Sequence, residues 1–363
     1  MSDPPPAASE RVSTLELFFD LVFVFVITQV AHLVTAGHGV TGLLQAALVL
    51  LVTWWMYGGY AWLTNNVGTR SPLARLLLLC GMAGFLVMAL SAPRAFGSGG
   101  LAFGLAYLLV VGIHAALFTR APGGSARAIL GIAPFNFGMA LALLAAAFAP
   151  PAWRTALWGL ALALIALSTL LRRDSGFEVN PAHFAERHGL VILIALGESI
   201  VALGSGAGET GLGRGALLAA LLGLALAAGL WWSYFDRDDE QAGEALARLS
   251  GPARARAALT GYSYAHVVMI GGIVLVAAGL GEVVGHHEGE RPGAAAWWLG
   301  AGLALYLAGD VWFRRTLGIG RGGVRALAAG LALGCVPLGL WAGGLWQLAA
   351  LALLLALMLL AEA

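Results

Sequence analysis

The sequence predicts an all-α integral membrane protein with about twelve transmembrane helices, and three observations carry that expectation. Apolar runs long enough to span a bilayer recur from Leu17 to the C-terminus. Charged residues make up only 11% of the 363 positions, whereas a soluble protein carries about 25%, and mean hydropathy is +0.85. The breaks between runs are mostly short and rich in turn residues, such as "GHG", "NNVGTRSP" and "PRAFGSGG". No soluble domain of useful size fits between them. The lipid bilayer is the expected partner, and no nucleic acid is expected.

Residues 1–15 open with "MSDPPPAASE", which lacks a basic stretch followed by a short apolar core and so is no cleavable signal. They read as a disordered, Pro-rich cytoplasmic tail. A helix needs about 20 mostly apolar residues to cross the bilayer, and it must satisfy its own backbone hydrogen bonds there. On that criterion the first six spans are 17–36, 40–64, 73–95, 100–119, 126–149 and 153–171. After "GHG", "NNVGTRSP" and "PRAFGSGG", the remaining breaks in this unit are "RAPGGSAR" and "PPAWR". These spans form a first six-helix unit, 16–171. A cytoplasmic linker, 172–186, begins "RRDSGFEVNPAHFAE". The second unit, 187–363, holds spans at 187–206, 212–235, 258–284, 294–314, 323–342 and 345–361. Cys80 and Cys335 lie within apolar runs, where free cysteine behaves as a small hydrophobe.

Orientation follows from the arginines. With the N-terminus inside, sixteen fall on the cytoplasmic side, and four (Arg94, Arg154, Arg214 and Arg291) fall outside. Both termini are then cytoplasmic and the number of spans is even.

An internal repeat is expected. "TWWMYGGYAW" closes the second span and "LWWSYFD" the eighth, so Trp54, Trp55 and Tyr57 match Trp231, Trp232 and Tyr234 at an offset of 177. Glu10-Arg11 and Glu186-Arg187 each precede an apolar run holding one acid, Asp20 or Glu198. Two six-helix units of one topology would be parallel repeats, with a site between the halves.

Polar residues inside the spans are the functional candidates. Glu16 and Asp20 are four apart and share a helix face, with Thr28, His32 and Thr35 further along on a neighbouring face. Glu16 also reads as an interfacial acid near Arg11, and Asp20 as a structural ion pair. In "NPAHFAERHGLVILIALGESIVALGSG", His183 and Arg187 are four apart. Glu198 follows Arg187 by three turns and returns to nearly the same face, with Ser205 continuing it and Ser199 adjacent. An acid near the bilayer centre costs about 2.5–3.5 kcal/mol on insertion scales, so Glu198 must be protonated, paired or facing a wet cavity. It is the leading candidate. His183, Glu186 and His188 do not have the H-E-x-x-H spacing, and no metal and no cofactor is assigned to them. His114, Asn136, Tyr262, Tyr264, His266 and Asp310 fall mostly in the cytoplasmic half, and Asp310 can pair with Arg314 four residues on.

"ERVSTLELFFDLVFVFVITQVAHLV", "HFAERHGLVILIALGESIVALG" and "LWWSYFD" resemble the signature segments of the bacterial low temperature requirement protein A (LtrA) family, over essentially the whole chain. The matching positions are Glu16, Asp20, Glu186, Arg187, Glu198 and Ser199, whereas His188 stands where the family pattern leads one to expect an aromatic. The resemblance implies a multi-pass protein of the bacterial inner membrane tied to growth in the cold, with no catalytic residue handed over. A looser likeness links Arg11 and "FFD" (Phe18 to Asp20) to the potassium-channel family whose first helix carries an R…FSD motif.

Three function classes stay open. The first is a transporter or channel for a cation, proton or small solute, with the first and seventh spans flanking a pathway. Its candidate residues are Glu198, Asp20, Glu16, Ser199, Arg187, Glu186, His183, His32 and His266. The second is a lipid-handling protein or membrane enzyme, the third a structural membrane-adaptation protein. Transport is the leading reading, no enzyme activity is expected, and a homodimer is left open.

Overall fold

The computed structural model describes residues 12–37, 39–67, 71–120, 125–171, 177–210, 213–285 and 293–363. Among them every regular element is helical, and twelve helices are long and apolar enough to cross a membrane. The expected spans are recovered to within a few residues at most ends. The chain is a multi-pass, all-α membrane protein. The tail before Val12, with Arg11, lies outside the described residues.

In the first half, α1 (Thr14–Ala36), α2 (Gly39–Asn66), α3 (Pro72–Ser91), α4 (Gly100–Phe118), α5 (Ser125–Phe148) and α6 (Pro151–Leu171) follow one another. Ser13 starts α1 through a capping box with Glu16. Ser71 accepts from the Ala74 amide to cap α3, with Pro72 in the first turn, where its missing N–H has no partner to lose. The second half runs through α7 (Pro181–Thr210), α8 (Arg214–Phe235), α9 (Asp238–Arg248), α10 (Gly251–Ala257), α11 (His266–Gly285), α12 (Gly293–Leu317), α13 (Gly323–Gly334), α14 (Val336–Trp341) and α15 (Gly344–Glu362). Helix α7 begins at Pro181, so the last six residues assigned to a linker are helical.

Two features exceed the simple span reading. Between α10 and α11 the helix widens into a π segment, Ala258–Ala265. Side chains reach carbonyls of this segment: Trp54 Nε1 donates to Ser263 O at 2.7 Å, beside the His266 N–H, and His266 Nδ1 contacts Gly261 O at 3.0 Å. The eleventh span breaks into α13 and α14 at Gly334-Cys335, ahead of Pro337, which cannot continue the backbone ladder.

The most enclosed span contains α11, which packs on α1, α2, α7, α8 and α12. Its contact with α12 is backbone to backbone. A Cβ on Gly272 would lie 2.5 Å from Tyr306 N and 2.6 Å from Gly302 O, so only glycine lets the helices approach this closely. An aromatic core lies beneath α1: Phe23 stacks on Tyr57 with ring centroids 4.2 Å apart, and Phe19 meets Phe85 edge-on at 5.0 Å.

Candidate functional site

The site grows from two helical pairs. Glu16 and Asp20 lie one turn apart on α1, and His183 and Arg187 one turn apart on α7. The two faces meet. Arg187 Nη1 donates to Glu16 Oε1 and Nη2 to Asp20 Oδ1, each at 2.9 Å, with all three side chains buried. Tyr57 donates to the same Asp20 oxygen at 3.0 Å, and Arg187 Nη1 reaches Thr64 at 3.2 Å. The guanidinium carbon also sits 5.6 and 5.7 Å from the Phe19 and Tyr57 rings.

The oxygens of Glu16 divide their work. Oε2 accepts from Ser13 N–H at 2.9 Å and from the Ser13 hydroxyl at 2.7 Å, which starts the helix. Oε1 faces Arg187 and His183. The expectation of an exposed interfacial acid is overturned, because this carboxylate is 4% exposed and fully engaged.

The proton on His183 follows from its neighbours. Asn180 N–H donates to Asn65 Oδ1 at 2.8 Å, which fixes the orientation of that amide. Asn65 Nδ2 then donates to His183 Nδ1 at 3.2 Å, so Nε2 carries the hydrogen and gives it to Glu16 at 3.1 Å. A chain of polar contacts thus runs from the start of α7 through His183, Glu16, Arg187 and Asp20 to Tyr57. Asp20 Oδ2 and Arg187 Nε have no partner among the described residues.

Glu198 lies about 16 Å further along α7, and Thr28 about 12 Å beyond Asp20 along α1. Thr28 donates to Glu198 Oε2 at 2.6 Å. Contacts at both levels mean that α1 and α7 run side by side in the same direction. Glu198 is 5% exposed, and no arginine among the described residues pairs with it. Ser199, next to it, is buried with its hydroxyl unpartnered.

The remaining candidates scatter. His32 and Ser205 are exposed, and Glu186 is exposed and takes the Val12 amide at 3.2 Å. His188 turns away from His183, donating through Nδ1 to Phe184 O at 2.8 Å, and its ring packs against Trp54, Tyr262 and His266. His266 Nδ1 donates to Gly261 O, so its Nε2 accepts from the Tyr234 hydroxyl at 2.9 Å. His183, Glu186 and His188 therefore do not converge on one point.

A second ionic cluster went unforeseen. Arg325 on α13 donates to Asp238 on α9 at 2.7 Å, to Asp310 on α12, and to Glu362 on α15 at 2.9–3.0 Å. Asp310 therefore meets Arg325 instead of its expected helix neighbour Arg314, because Arg314 extends to Glu362 at 3.0 Å. Only the i,i+4 spacing was visible in the sequence, while the true partner lies on the next helix. Thr28, Tyr57, Thr64 and Asn65 were likewise missed as partners, since common residue types give no signal until the helices are packed.

A family model described as "Bacterial low temperature requirement A protein (LtrA)" matches residues 11–361. The chain is also 27% identical over 321 residues to an uncharacterized protein of Rhizobium meliloti (strain 1021), covering 84% of this chain and 77% of that protein.

Proposed function

From the premise that the chain belongs to the bacterial low temperature requirement A family, we propose that it is an inner-membrane transport protein. Its cargo is a proton or small cation, and Glu198 is the group that binds it. The observation that carries this reading is the contrast between the acids. Glu16 and Asp20 are held by Arg187, whereas buried Glu198 has, among the described residues, only the Thr28 hydroxyl. A carboxyl in that setting is either neutral or awaiting a cation. The Arg187 cluster then acts as the lock that keeps α1 and α7 in register, and α1 and α7 flank the pathway.

The same proposal includes a parallel six-plus-six repeat. Helix α1 packs on α2 and α3 as α7 packs on α8 and α11, and α1 and α7 run in the same direction. In this reading both termini are cytoplasmic.

The test is ion flux into proteoliposomes under K⁺, Na⁺ and H⁺ gradients in turn. The expected outcome is flux of one ion that Glu198→Gln abolishes while the variant stays folded. Absence of flux for all three would reject cation transport. It would favour a structural role, which the saturated Arg187 cluster also suits.

A further inference from the structure

A cavity of about 110 Å³ lies apart from both ionic clusters, among α2, α4, α5, α6 and the π segment. Its walls include the indoles of Trp54, Trp55 and Trp62 together with Phe118 and Phe177, so they are flat and apolar. No Arg, Asp or Glu is among the described residues lining it. Ile132, Thr169, Leu259 and Tyr264 lie on the wall, are partly exposed and belong to membrane-spanning helices. These four place part of the wall on the outer surface of the spans, which lipid covers.

Asn136 is a wall residue with a donor to spare. Asn136 is 4% exposed, and its Oδ1 accepts from Trp55 Nε1–H at 2.9 Å. The indole nitrogen can only donate, so this bond fixes the amide orientation. Asn136 Nδ2 is left as a donor with no partner among the described residues. His114, also on the wall, spends Nε2–H on Gly59 O at 3.0 Å. Asn136 lines the cavity, so a ligand carbonyl there would give this free donor an acceptor.

These features select a ligand class. An apolar cavity of ~150 Å³ holds one benzene ring; this one is smaller, so one edge of a single ring enters it and the ring's substituents stay in the mouth. Flat aromatic walls suit a planar ring better than a flexible acyl chain. The lack of a lining cation disfavours a phosphate headgroup, and the lipid-covered part of the wall meets molecules dissolved in the bilayer.

We propose that this cavity binds the neutral, carbonyl-bearing ring of a lipid-phase quinone. Asn136 Nδ2 donates to one carbonyl, and the indoles of Trp54, Trp55 and Trp62 flank the edge of the ring that enters.

The test compares duroquinone with durene, the same methylated ring without carbonyls, on the full chain in detergent or nanodiscs. Tryptophan quenching and the shift in thermal midpoint are both read. Duroquinone is expected to bind saturably and to raise the midpoint, with durene about tenfold weaker, as one hydrogen bond implies. Asn136→Leu should bring duroquinone down to the level of durene, and Ala255→Phe, which fills the cavity from a small wall residue, should remove both. Equal affinity for the two rings, or no saturable binding by the folded wild type, would overturn the proposal. The comparison on wild type decides the matter even if either variant fails to fold.

Discussion

Arg187 on α7 holds Glu16 and Asp20 on α1 with one terminal nitrogen each, both at 2.9 Å. The three groups are almost completely buried. Two carboxylates one helical turn apart repel each other, and this single guanidinium bridges them. Arg187 is therefore the only arginine among the described residues that ties α1 to α7, beside the His183–Glu16 and Thr28–Glu198 contacts.

Arg187→Met should destabilise the protein by about 3–5 kcal/mol, because it leaves two buried acids without their cation. Arg187→Lys should recover only part, since an ammonium lacks the fork that reaches both carboxylates. Replacing all three groups together, as Glu16→Gln, Asp20→Asn and Arg187→Met, should cost less than the single Arg187→Met change. Thermal unfolding in detergent, followed by size-exclusion fluorescence, checks both orderings. A triple variant less stable than the single one would show that the lock is not mainly electrostatic.

Glu362 joins α15 to Arg314 on α12 and Arg325 on α13. Glu362→Gln keeps the shape and removes the charge, and hydrogen bonds to charged groups are worth about 1.5–3 kcal/mol. A loss at the lower end of that range is expected, because the Glu362 side chain is 17% exposed. Limited proteolysis of the last helix should accelerate in the variant. Unchanged proteolysis would mean that α15 is held by its apolar face alone.

The sequence made the spans legible and left most of the site hidden, for physical reasons that differ. Bilayer length and the need for satisfied backbones announce a helix locally, so α1 to α8 could be placed from composition. The four-residue spacings of Glu16 with Asp20 and of His183 with Arg187 were also local, and they marked the right faces. What spacing could not supply was the partner across the seam. Arg187 was read as part of a stripe with Glu198, yet it turns to α1, and Glu198 finds Thr28 there. Asp310 shows the same limit, since its nearest arginine in sequence is not the one it meets. The π segment was invisible because its contacts are partly tertiary: the Trp54 indole, from α2, reaches Ser263 O within it.

Gly272 and Gly302 set the distance between α11 and α12. Gly272→Val should force the backbones apart, since even a Cβ would fall 2.5 Å from Tyr306 N. Overpacking of this kind costs about 1–3 kcal/mol and can cost more where backbone cannot yield. Gly197→Ala, on α7 with open space around it, is the matched control and should be nearly neutral. Comparing their thermal midpoints separates close packing from a general intolerance of substitution. Similar losses in both would sink the argument.

Thr28 tests whether Glu198 is a binding group or only part of the seam. Thr28→Val removes the hydroxyl that meets the carboxyl at 2.6 Å and keeps the side chain's shape. If Glu198 serves packing, stability should fall by about 1–3 kcal/mol for a buried group left without its partner, and any ion flux should be unaffected in a folded variant. If Glu198 binds the moving ion, the apparent affinity for that ion should change even where folding is intact, and Thr28→Ser should restore it. Measuring flux against ion concentration in wild type, Thr28→Val and Thr28→Ser therefore distinguishes the two roles. The serine variant carries the argument, because it returns the hydroxyl without returning the methyl group that packing would need.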